Sequence, residues 1–502
     1  MKNLFIVISL TFAPLLLQAQ KYDYQWLMGY SASIPHPEFG ISLLNFNQPA
    51  IEVYAYDQEF NPIDIHDGSS FICDESGELL LITNNCKVFD RDFLIVPGTD
   101  TLTPGTIFNS YCEQSGEYPT SQTSLILPEL TNDSTFYIVH KDSEVSNVLQ
   151  ALISKNLYLS TVVRKEDGSF YLWGTRLLID QEIVPGKVTA CINHDGDKWW
   201  TWTADYHSNA MYKFLIGGQD TVQGPFVQEI GERIRDKDNG GIGQTAFSPD
   251  TKSMALLTSD HKILLYDFDN ESGELSNYQC IPVADGDEGY GRGLAFSFDS
   301  RFVYLSTVKN LYQVDLIDST WEHIAFHESY DENSWPVGIG KMQLGPDCRI
   351  YISPGSTSYY IHVIHHPNQK GKACGFEARA LRSPTIIDRY FPNLPMYRFG
   401  GVCDSTIQFP MVNSVEVIME EKEGVKVFPN PFANDLNVSF KNSIPKNAHI
   451  RVFDSLGRSC FKSPLLAFTN TLTFGEIPSG LYFYEIWENS TLLKSGKLVK
   501  VE

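Results

Sequence analysis

The densest group of side chains able to do chemistry is His194-Asp195-Gly196-Asp197, followed at once by Trp199, Trp200 and Trp202 and then by Tyr206-His207. Exposed aromatic faces beside imidazole and carboxylate can stack a sugar ring or hold a peptide. His194, Asp195, Trp199, Trp200, Tyr206 and His207 are therefore the candidate ligand-binding residues. A structural reading competes and is favoured: Asp195-Gly196 is a tight hairpin turn, and the tryptophans fill space between sheets. Three more imidazoles occur in Tyr-Ile-His362-Val-Ile-His365-His366, but strand alternation puts His362 and His365 on opposite faces, so they do not converge on a metal. Asp267-Phe-Asp269-Asn270 and Asp236-Lys-Asp238-Asn239-Gly240 resemble pieces of calcium loops without the closing glutamate. No metal or cofactor is expected.

Nucleophile signatures are missing. Neither a G-x-S-x-G elbow nor an H-E-x-x-H helix is present. A Ser-His-Asp set assembled from distant segments is recognised only by geometry, and among 61 Asp and Glu a chance carboxylate pair is always available. The glycine pairs Gly241/Gly243 and Gly338/Gly340 recur once per repeat with no helix behind them, so they are structural rather than phosphate-binding.

The elements that must position these groups repeat along the chain. Gly241 to Thr258, Gly291 to Thr307 and Gly338 to Pro354 align, and their turn aspartates Asp250, Asp299 and Asp347 fall 49 and 48 residues apart. An apolar strand follows each turn, then a polar gap and another apolar strand: Ile263 to Phe268, Leu311 to Ile317, Tyr360 to Ile364. That period with four short strands per unit predicts a β-propeller blade. Looser copies span Ser69 to Thr83, Ser121 to His140 and Val188 to Thr203. Six blades are recognisable, and Ile51 to Tyr56 could combine with Arg398 to Phe409 as a seventh, closing the ring and removing its exposed edges. Seven blades is preferred within a range of six to eight. Ser146 to Ser154 is the one short helix expected.

Composition agrees. The 25 Tyr, 31 Phe, 36 Gly and 26 Pro favour strands and turns. A net charge of −23 repels phosphate backbones and excludes nucleic acid as a partner. The first residues, Lys2 and then an apolar run from Leu4 to Leu17 before small Ala19, read as a secretory signal peptide; no later stretch is long enough to span a bilayer. Nine cysteines in an exported chain suggest disulfides and an odd thiol, with Cys86–Cys112 and Cys374–Cys403 the candidate loop staples.

The other end is a separate module. After an acidic linker, Val425 to Phe440 holds two apolar-alternating segments split by Pro429-Asn430-Pro431, and further short strands run to Val501. The module resembles the type A C-terminal sorting domain of the type IX secretion system of Bacteroidota. The likeness rests on V-F-P-N-P-F at Val427 to Phe432, V-F-D-S-L-G-R at Val452 to Arg458, P-S-G-L-Y-F at Pro478 to Phe483 and K-L-V-K at Lys497 to Lys500. It implies export across the outer membrane by the type IX machinery, with Pro429, Asn430, Pro431, Gly480, Leu481, Tyr482, Lys497 and Lys500 as the sorting-motif residues. The region from Tyr22 to Pro410 is similar to the exported WD-repeat-like or quinoprotein-like rings of the same bacteria, although no W-D dipeptide closes a blade.

The expected architecture is all-β: leader 1–19, β-propeller 20–412, acidic linker 413–424, and a small immunoglobulin-like β-sandwich 425–502. The expected function is a secreted or cell-surface, non-enzymatic propeller that binds a protein, peptide or glycan. The alternative is a hydrolase or lyase working on polysaccharide or peptide at the channel mouth, which would need convergent carboxylates or a His–acid pair lining the channel.

Overall fold

A computed structural model describes residues 21–30, 38–56, 63, 65, 68–113, 118, 120–146, 151–218, 221–234, 243–283, 290–331, 333–389, 391–397, 403–410, 425–440, 446–454, 458–474, 477–488 and 491–501. The expected leader and acidic linker lie outside these residues. The chain divides into two compact units, Met1–Pro410 and Met411–Glu502.

The first unit is a β-propeller. Its described residues form seven antiparallel blade sheets taken in chain order, with a two-stranded ribbon, Ser329–Tyr330 and Pro336–Val337, between the sixth and the seventh. Each blade starts from a short inner strand: Gln25–Tyr30, Ser70–Cys73, Ser124–Pro128, Thr189–Ile192, Thr245–Phe247, Leu294–Phe296 and Met342–Leu344. Blades 4 to 7 are four-stranded meanders, and blades 1 and 2 show three strands. Most strands are short runs of three to nine residues punctuated by Asp, Ser and Gly turns, as the repeat predicts, and the long exceptions are Ala151–Arg164, Phe170–Ile183 and Phe376–Ile387. Within each turn the aspartate caps locally: Ser248 Oγ donates to Asp250 and Ser297 Oγ to Asp299, each at 2.6 Å. The repeated glycines let inner strands crowd together. A Cβ on Gly293 would collide with the Gly340 carbonyl, and one on Gly338 with the Val308 carbonyl.

Two expectations need correction. The segment Ser146 to Ser154 contributes no helix among its described residues. Ser146 ends one strand, Glu144–Ser146, and Ala151 begins another, Ala151–Arg164, paired through Leu152↔Val145. Alternating apolar residues continue past Ser154 into Leu157 and Leu159, so the long strand overrides the local helical spacing. Among the described residues the first sheet, in turn, is built from the N-terminal side, with strands Gln25–Tyr30, Gly40–Asn45 and Glu52–Ala55. From the C-terminal stretch, residues 398–402 are not described, and Gln408 adds a single parallel bridge to Ala50 in place of a strand.

The second unit is a β-sandwich. One sheet pairs Val425–Phe428, Asp435–Phe440 and Thr469–Thr473; the other pairs Ser459–Leu465, Ala448–Phe453, Gly480–Glu488 and Thr491–Lys500. Alternate residues of both, including Leu436, Val438, Ile450, Val452, Tyr484 and Ile486, form the core.

Candidate binding site

Among the described residues, one segment without strand structure lies among the inner strands of several blades. Phe391–Tyr397 (F-P-N-L-P-M-Y) leaves blade 7 and runs among the inner strands. Asn393 is the anchor. Its backbone N–H donates to Ser69 O at 2.8 Å, and its side-chain Nδ2 donates to Ser124 O and Val188 O, both at 3.0 Å. Its Oδ1 accepts from Gln122 Nε2 at 3.0 Å, and its carbonyl accepts from Ser70 Oγ at 2.7 Å. One buried asparagine thus ties blades 2, 3 and 4 together.

Phe391 then packs edge-on against Trp26 of blade 1, and Tyr397 against Trp199 of blade 4. Met396 N–H donates to Ala190 O at 2.8 Å. Two glutamines brace the same end of the ring. Gln122 exchanges hydrogen bonds with Thr245 of blade 5, and Gln244 bonds Leu294 of blade 6 and Met342 of blade 7. A residual cavity of about 40 Å³ remains beside Leu394, Pro395 and Met396, enough for a water and little more. Its described lining holds no carboxylate and no imidazole.

Beyond the channel the chain is fastened at the far end of the inner strands. Cys403 is disulfide-bonded to Cys348, in the first turn of blade 7, and Asp404 N–H donates to Pro346 O at 3.0 Å. This corrects one expected staple. Cys374 does not join Cys403: it is a free, buried thiol in the core shared by blades 6 and 7. Cys86 and Cys112 are bonded to each other, closing the loop between blades 2 and 3.

The His–Trp cluster comes apart along its own strand. His194 and Asp195 are exposed in the turn before strand Trp199–Ala204, while Tyr206 and His207 follow its other end. Six residues of strand place them about 20 Å apart. Trp199 and Trp200 are 0% and 4% exposed and bridge blades. Trp199 Nε1 donates to Pro128 O of blade 3 at 2.8 Å, and Trp200 Nε1 to Asn270 O of blade 5 at 3.0 Å. His207 pairs with Glu182 at 2.6 Å, its ring edge-on to the neighbouring Tyr206. His362 is buried, accepting from Arg379 N–H on Nδ1 and donating from Nε2 to Gly338 O, while His365 pairs with Glu377. No group of three or more His, Cys, Asp or Glu able to hold a metal occurs among the described residues.

What the structure does assemble is a groove of about 1,050 Å³ between blades 3 and 4. Blade 3 supplies one wall from its two long outer strands, Ala151–Arg164 and Phe170–Ile183. Their register shifts between Thr161 and Val162, leaving Trp173 as the extra residue opposite no partner. A bulge re-aims a side chain, and Trp173 is 73% exposed on the groove. Arg176, Tyr137 and the threonines Thr131, Thr135, Thr161 and Thr221 share the lining, with Asp197 and Lys198 from the His194 turn at its edge. Sequence reasoning reached that edge but missed Trp173, whose only signal was an isolated Trp in a polar strand.

Glu129 is the carboxylate at the base of the groove. Burial by itself would raise its carboxyl. Donors more than offset that: Tyr137 OH and Gly218 N–H at 2.8 Å on one oxygen, Thr131 N–H and Oγ1 on the other, hold it below the usual range. A carboxylate so held stays ionised and saturated, a positioning group rather than a proton donor.

Residues 426–501 match the family described as the secretion system C-terminal sorting domain. The C-terminal unit is a type IX sorting domain. It sends the chain to the cell surface or the extracellular space. Its motif residues are neighbours in the sandwich. Asn430, between Pro429 and Pro431, donates from Nδ2 to Lys497 O at 2.8 Å and accepts from Val499 N–H at 2.9 Å. Gly480 pairs with Lys500 and exposed Leu481 with Val499, while Tyr482 turns into the core with its hydroxyl on Pro478 O. No helix among the described residues is long and apolar enough to cross a membrane.

The chain is similar in solved structures to a Bacteroides fragilis protein proposed to be a 6-phosphogluconolactonase (12% identity, 74% of this chain and 97% of that one, TM-score 0.42). It is similar also to the periplasmic gluconolactonase of Pseudomonas aeruginosa (12%, 89% and 98%, 0.36) and the Cps50 propeller domain of Myceliophteria thermophila (10%, 64% and 88%, 0.36). No curated protein matches the chain.

Proposed function

We propose that this chain is a surface-delivered binding protein whose ring takes a glycan into the groove between blades 3 and 4. The observation that carries the reading is the interior of the ring. Phe391–Tyr397 runs among the inner strands of the ring, and the described lining of the cavity beside it carries no acid and no imidazole. The groove supplies what a sugar needs instead. An exposed indole offers a face for the apolar side of a pyranose, threonine hydroxyls and Arg176 offer hydrogen bonds, and Glu129 holds Tyr137, Thr131 and Gly218 in place at the base. A peptide is the competing occupant, since the same donors read carbonyls.

The test is to apply the purified chain and its Trp173→Ala variant to glycan and peptide arrays, with hydrolysis assays on the same polysaccharides and peptides. We expect glycan binding without product release, weakened about tenfold by loss of the stacking face. Release of product overturns the non-enzymatic reading. Peptide capture that Trp173→Ala leaves intact removes the groove from it.

A further inference from the structure

A second cleft, independent of the groove, opens between blades 6 and 7 on the side of the ring where the inner strands begin, with a volume of about 390 Å³. Its charge is opposite to that of the protein. The chain carries −23 overall, yet Arg292, Lys309 and Arg389 all line this one cleft, against one acid in its described lining, Glu328, and one behind it, Asp388, which lies 3.7 Å from Arg389. Glu328 is already engaged, 2.6 Å from Lys309.

The walls are fixed from behind. Buried His362 donates from Nε2 to Gly338 O at 2.7 Å, holding the backbone that forms the floor. Arg379 reaches Ser329 Oγ at 2.8 Å and Tyr330 O at 2.6 Å, holding the strand that forms the rim. Arg292 donates to Gly355 O at 3.2 Å, which sets its guanidinium at the edge of the space. Arg292 is thus presented by a framework, while Lys309 and Arg389 reach the cleft as exposed side chains beside their acids Glu328 and Asp388.

The geometry points to a site for the oxyanion of a small solute, a phosphate ester or a carboxylate, held by Arg292 and Arg389 with Lys309 exchanging Glu328 for the ligand. Guanidinium groups match both anions through paired N–H donors. The volume suits a monosaccharide-sized molecule. The inference does not rest on the glycan groove, because the two sites share no residue.

The experiment is calorimetric titration of the full chain with glucose 6-phosphate, glucuronate and glucose at low and physiological salt. Saturable binding of either anion but not of glucose, weakening with salt, is expected, and whichever anion binds more tightly identifies the headgroup. Arg292→Gln and Arg389→Gln should each weaken it by about tenfold, and Glu328→Gln should tighten it about fivefold by releasing Lys309. Because Arg292 also supports backbone, Arg389→Gln, on an exposed side chain, is the decisive variant, with the melting curve as its folding control. Equal binding of glucose, no binding of either anion at millimolar concentration, or affinities that Arg389→Gln and Glu328→Gln both leave unmoved would overturn the proposal.

Discussion

Replacing Asn393 by alanine removes three side-chain hydrogen bonds at the centre of the ring, to Ser124 O, Val188 O and Gln122 Nε2. All three partners are buried, so no water replaces the lost groups. At roughly 1 kcal/mol net per bond, the loss is about 3 kcal/mol. Unfolding entropy scales at roughly 2 cal/mol/K per residue, so about 390 ring residues carry about 0.8 kcal/mol/K and the melting temperature should fall by about 4 °C. Asn393→Asp should fall further, because a carboxylate would face two carbonyl oxygens in place of the amide donors. Scanning calorimetry of the full chain reads both, with exposed Asn132→Ala as the control that should move little. A shift below 1 °C for Asn393→Ala would mean that the segment merely rests in the channel and does not hold the blades.

Three further expectations use other parts of the molecule. The Cys348–Cys403 bond closes a separation of 55 residues, so in the chain-entropy account its loss costs up to roughly 4 kcal/mol; Cys348→Ser, Cys403→Ser and the double variant should melt at one lowered temperature, and a double variant losing the sum of both would refute the bond as the source. His140 and His362 are both pushed down to about 3 by burial, His140 against Ser160 Oγ at 2.9 Å. The unfolded chain takes up protons near pH 6.5 that the folded one refuses, so stability is intact above that pH and falls toward pH 3, by up to about 1.4 kcal/mol per unit for each histidine. Urea midpoints should show a shallower acid slope in His140→Gln; an unchanged slope would count against the assignment. Deleting Val425 to Glu502 should leave the protein in the periplasm, and continued surface display would contradict the sorting role.

The legible parts of this sequence were those with a period. The turn aspartates Asp250, Asp299 and Asp347 report blades 5, 6 and 7 because each caps its own hairpin, a local act repeated at fixed spacing. The sorting motifs were legible for a similar reason, since Asn430 and Lys497 are held together by one small sandwich. Phe391–Tyr397 was not. It has no period, its two prolines forbid a strand ladder, and its place depends on carbonyls contributed by blades far apart in the chain. The tryptophans fit the packing reading favoured from the sequence: Trp199 and Trp200 are sequence neighbours that face different blades. Cys374 and Cys403 share a long loop in sequence, but blade geometry brings Cys348 to Cys403 instead.

The order of attachments along the C-terminal stretch also decides how the ring answers a pull. A tug on the chain beyond Pro410 first meets the bridge between Gln408 and Ala50, and next a covalent bond at Cys403, before any load reaches Tyr397. The disulfide therefore works as a strain relief, like the knot in a cord behind a plug. Force applied through the sorting domain stretches the tail and is grounded in blade 7, leaving Asn393 and its hydrogen bonds unloaded. A mutant without that bond would leave only hydrogen bonds, those of Gln408 and Asp404, between the same force and the centre of the ring.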